Sequence, residues 1–65
     1  MQYNLRLLNN NTIAVRVGRH REYVGIDGKT KGQIFDAVRW ALISKNVVVS
    51  EARLTEDLYE LLRRH

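Results

Sequence analysis

Apolar residues in this chain follow a period of two as far as Ile26 and a period near 3.6 from Ile34 onward. The first spacing puts alternate side chains on opposite faces of a strand, and the second lines one side of a helix. A single switch between the two predicts strands first and helices second. The expected class is α+β: a three-stranded antiparallel β-meander followed by two α-helices, the first packed on one sheet face. Sixty-five residues allow one small domain, with the meander in 1–26, helix 1 in 30–46 and helix 2 in 50–64.

Tyr3, Leu5 and Leu7 alternate with Asn4 and Arg6, the pattern of a half-buried strand. The run Asn9-Asn10-Asn11-Thr12 has turn chemistry, because asparagine tolerates the left-handed backbone. Thr12–Val17 then alternates again, with Ile13, Val15 and Val17 on one face. Gly18–His20 is expected to form the second turn. Arg21–Ile26 makes a third strand with Val24 and Ile26 inward and Arg21, Tyr23 and Gly25 outward.

Thr30 stands three residues before Gln33, the spacing of a capping box. From there Ile34, Phe35, Ala37, Val38, Ala41 and Leu42 fall on one broad helical face, which is expected to cover the sheet. Asn46 is a natural stop. Val47-Val48-Val49 reads either as a short fourth strand or as an extended link. Ser50 or Thr55 can cap a second helix ending near Arg64, with a stripe of Leu54, Leu58, Leu61 and Leu62. Its early Glu56 and Asp57 and late Arg63 and Arg64 complement the helix dipole.

A chain this short buries only about 60% of the surface its unfolded form exposes. Disulfides, a structural metal or self-association usually compensate. There is no cysteine, and the two histidines, His20 and His65, are far apart, so neither a disulfide nor a metal is expected. No cofactor is expected either. A homodimer is the remaining aid. No apolar run approaches the ~20 residues of a membrane span, so no membrane association is expected. The first residues, Met1-Gln-Tyr-Asn-Leu-Arg6, do not resemble a secretion signal, and a cytoplasmic location is expected.

The net charge of +4 is unevenly placed. Residues 1–32 carry six basic side chains against Glu22 and Asp27, whereas residues 33–65 carry five of each sign. Such asymmetry points to an anionic partner for the first half. On the expected register, the outward sheet face gathers Asn4, Arg6, Thr12, Ala14, Arg16, Arg21, Tyr23 and Gly25. Arginine can fork onto phosphates or guanine edges, and a tyrosine ring can stack on an unpaired base. Arg6, Arg16, Arg19, Arg21, Tyr23, Lys29 and Lys31 are therefore the candidate contacts to DNA or RNA. The competing reading is a solvated face with a basic hairpin tip partly neutralised by Glu22. His20 in that tip is read as inert.

Gly28-Lys29-Thr30 resembles part of a phosphate-binding loop, but position 23, where that motif needs glycine, is tyrosine. The motif is rejected. Lys29 and Lys31 at a helix start could hold one backbone phosphate. Ser44 and Ser50 have no histidine at an inferable distance, and no enzyme activity is expected. Trp40 and Ile43 share a helix side with Asp36 and Arg39, away from the Ile34/Val38/Leu42 face. Either the second helix covers them, or Trp40, Ile43, Val47, Val48 and Val49 form a partner or dimer interface. The leading expectation is a basic nucleic-acid-binding module. Its rival is a small adaptor or inhibitor that docks on another protein, of a kind suited to viral or mobile-element genomes.

Overall fold

In the computed structural model, which describes residues 3–9 and 11–63, the class is α+β, as the switch of period requires. Strands β1 (Asn4–Leu8), β2 (Thr12–Val17) and β3 (His20–Gly25) form an antiparallel sheet in chain order, and helices α1 (Lys31–Ile43) and α2 (Glu51–Arg63) follow. Arg64, the expected end of the second helix, lies outside the described residues.

β2 is the central strand. Its inward Ile13 and Val15 are fully buried, flanked by Val17 and by Val24 of β3. α1 packs over β2 and β3 and α2 over β1, so both helices lie on one side of the sheet. Ile34, Val38, Ala41 and Leu42 of α1 and Leu54 and Leu58 of α2 complete the core. The other sheet face is left uncovered. No described helix is long and apolar enough to cross a membrane.

Local chemistry sets each connection. Asn9 takes a left-handed φ of 53° between β1 and β2, and the Asn11 N–H donates to the Leu8 carbonyl. The β2–β3 turn is shorter than expected: Val17 pairs with His20, and only Gly18 and Arg19 lie between them. Gly18, at φ 59°, provides the positive φ that a two-residue type II′ hairpin needs at its first central position. His20 therefore belongs to β3 rather than to the tip.

The Thr30 hydroxyl accepts from the Gln33 N–H, and the Gln33 side chain accepts from the Thr30 N–H, completing the capping box. At the other end, the Val47 N–H donates to the Leu42 carbonyl and the Asn46 N–H to the Ile43 carbonyl. With Asn46 at φ 61°, this is a Schellman closure. It turns Val47 into the core, where it is 2% exposed. Residues 47–50 are an extended link, and Ser50 rather than Thr55 caps α2 by accepting from the Arg53 N–H.

Candidate nucleic-acid interface

The pairing register builds the uncovered face in three rows across β1, β2 and β3. Asn4, Arg16 and Arg21 form one row; Arg6, Ala14 and Tyr23 the next; Leu8, Thr12 and Gly25 the third. Adjacent strands lie about 4.8 Å apart and successive rows about 7 Å apart. The middle row thus sets the small Ala14 between the long side chains of Arg6 and Tyr23. Tyr23 is 57% exposed, and Arg6, Arg16 and Arg21 are exposed as well. Together with Asn4, Leu8 and Ala14 they line a shallow depression of about 180 Å³.

Electrostatically the face is one-signed. Among the described residues it carries three arginines and no carboxylate. Glu22, read from sequence as a neighbour that neutralises the basic turn, pairs in register with buried Val15 and so lies on the helix side. There its Oε1 accepts from Lys45 Nζ at 2.6 Å. Asp36, Glu51, Glu56, Asp57 and Glu60 also belong to the helix layer. The Arg16 Nε donates to the Gly18 carbonyl at 3.2 Å, and among the described residues its terminal nitrogens have no hydrogen-bond partner.

The other basic candidates are dispersed. Arg19 projects from the hairpin tip at one end of the sheet. Lys29 and Lys31 follow the other end of β3, a strand whose five steps span about 17 Å. Lys29 Nζ donates to the Gly25 carbonyl at 2.6 Å, which holds it against the end of β3. His20, by register, falls on the face opposite Arg21.

On the far side of the molecule, Trp40 is 67% and Val48 91% exposed, with Ile43 partly exposed between them in sequence. α2 packs against β1 and α1 without covering Trp40. Ile43, Val48, Val49 and Arg39 rim a depression of about 190 Å³ floored by Leu42, Val47 and Leu54. Val47 is thus a core residue and not part of an accessible interface, and Val49 is half-buried against the core.

Two features escaped the sequence reading. Leu8 joins the outer face, a position that alternation from Asn4 and Arg6 would have given. The Tyr3 hydroxyl donates to the Asp57 carboxylate, with the Arg53 guanidinium 5.9 Å from the Tyr3 ring centre. No local pattern signals that tie, because the partners are 54 residues apart. Burial first, then the hydrogen bond to Asp57 and its charge, push the Tyr3 hydroxyl from 10.0 up to about 12, against the opposing Arg53 charge. No cluster of three metal-ligating side chains occurs among the described residues.

Comparison with protein-family models, curated proteins and solved structures finds no match to this chain.

Proposed function

We propose that this protein is a small, non-enzymatic, regulatory module that binds DNA or RNA through its uncovered sheet face. One observation carries the reading: Arg6, Arg16, Arg21 and Tyr23 stand in two adjacent rows on a face free of carboxylates, while Glu22 and the five helical acidic residues lie in the opposite layer and Asp27 stands in the turn after β3. Such a surface attracts a polyanion without internal competition for its guanidinium groups. Arg16 and Arg21 contact phosphates, Arg6 and Tyr23 contact bases, and Arg19, Lys29 and Lys31 extend the field at the two ends. A fluorescence-anisotropy titration at low salt with mixed-sequence DNA and RNA tests the reading. The wild type binds, and the triple variant R6A/R16A/R21A does not. Absence of wild-type binding to either polymer sinks it.

A second reading rests on the exposure of Trp40 and Val48 together with Ile43. This helix-side patch docks on a protein, either another chain or a second copy. Here Trp40→Ala abolishes partner capture or self-association, measured by pull-down and light scattering, while the triple arginine variant leaves it intact. Retention of the partner by Trp40→Ala rules this reading out.

A further inference from the structure

We infer that Arg6, Ala14 and Tyr23 form a slot for one unpaired nucleobase, so that the outer face prefers single-stranded nucleic acid over duplex; this rests on the nucleic-acid reading above. The three residues are direct cross-strand partners, with Ala14 in the middle. Two strand spacings place the Arg6 and Tyr23 backbones about 10 Å apart. A base sandwiched between a phenol ring and a guanidinium plane needs roughly 7 Å between the two outer planes, twice a stacking distance of about 3.4 Å. The long Arg6 side chain closes the difference. Ala14 contributes only a methyl group and leaves the floor open. Behind Tyr23 on the same strand lies Gly25, which adds no side chain to crowd the ring.

Flat partners of this kind are what an unstacked base uses, since aromatic rings and arginine planes both stack on it. The next row supplies Arg16 and Arg21, about 7 Å along the strands, at the place where the backbone of the same or the adjacent nucleotide runs. In a duplex both faces of every base are already covered, and inserting Tyr23 would require a base step to open at a cost of a few kcal/mol. Three arginines on strands of five and six residues are a small electrostatic surface from which to offset that cost.

Anisotropy with a labelled 12-nucleotide single strand and the corresponding 12-base-pair duplex, at equal salt, tests the slot. The wild type binds the single strand at least tenfold more tightly. Tyr23→Ala loses about 10- to 100-fold on the single strand, Tyr23→Phe retains wild-type affinity, and neither changes duplex binding. Ala14→Leu fills the floor and reproduces the Tyr23→Ala loss, with circular dichroism confirming the fold. If Ala14→Leu fails to fold, the contrast between Tyr23→Ala and Tyr23→Phe decides alone. Equal affinity for duplex and single strand, or no loss with Tyr23→Ala, overturns the slot and leaves the wider reading standing. Binding to neither oligonucleotide overturns both.

Discussion

Lys45 Nζ lies 2.6 Å from Glu22 Oε1, tying the end of the α1 region to edge strand β3 on the face of the sheet opposite Arg21 and Tyr23. The pair takes a carboxylate flanked in sequence by Arg21 and Tyr23 and commits it to the other side. Glu22→Gln is therefore expected to cost stability without altering ligand affinity. A partly exposed ion pair contributes about 0.2–1 kcal/mol. In a domain this small that is a fall of a few degrees in Tm. Thermal melts read the first effect and anisotropy the second. A several-fold gain in nucleic-acid affinity for Glu22→Gln would mean that Glu22 does act on the outer face.

Charge and stacking separate by their response to salt. Each phosphate neutralised on a single strand contributes about −0.7 to the slope of log K against log salt. Arg21→Ala should make the slope shallower by about 0.7, as should Arg16→Ala. Tyr23→Ala should weaken binding at every salt concentration and leave the slope unchanged. Titrations at four salt concentrations distinguish the two behaviours. A change of slope with Tyr23→Ala would assign that residue an indirect role in positioning the arginines.

The burial of Tyr3, together with its hydrogen bond to Asp57, predicts a pH dependence at the alkaline end. An unfolded tyrosine releases its proton near pH 10, whereas folded Tyr3 holds it up to about 12. Between those values the folded state binds more protons than the unfolded one, so stability falls as pH rises. The contribution is fully present below about pH 10 and is lost towards about pH 12. Tyr3→Phe should be less stable than wild type at neutral pH by about 1 kcal/mol, the usual worth of one hydrogen bond. Urea midpoints measured from neutral to strongly alkaline pH should show the gap between wild type and variant closing. A gap that stays constant would exclude Tyr3 ionisation as its source.

What sequence could reveal depended on how far apart the interacting residues were. Alternation in Thr12–Val17 set inward and outward faces for the central strand, and the pairing of its neighbours then fixed which arginines share a row. The Thr30/Gln33 capping box is a local rule with a spacing of three residues and is legible in the sequence. His20 lies in β3 rather than in the three-residue turn the sequence predicts, because Gly18 adopts φ 59°, which permits a two-residue turn. Glu22 and Lys45 are 23 residues apart, and Tyr3 and Asp57 are 54 apart, separations at which no periodicity operates. The openness of Trp40 depended on where α2 packs, which its own leucine stripe does not say.

Val47 and Val48 sharpen that point, because identical neighbouring side chains have opposite fates. Val47 is 2% exposed and Val48 91%. Three consecutive valines carry no period, so the choice between them falls to the backbone. The Asn46 left-handed turn and the bond from the Val47 N–H to the Leu42 carbonyl rotate Val47 inward and leave Val48 outside. Val47→Ala removes two buried methyl groups and opens a cavity beside Leu42 and Leu54, and should cost about 2 kcal/mol. In a domain of this size that is a large share of total stability. Val48→Ala should change stability by less than about 0.5 kcal/mol, as expected of an exposed position. Urea denaturation of the two variants side by side reads the difference. If Val48→Ala instead lowers stability in a way that depends on protein concentration, the helix-side patch is covered in solution by a second copy of the chain.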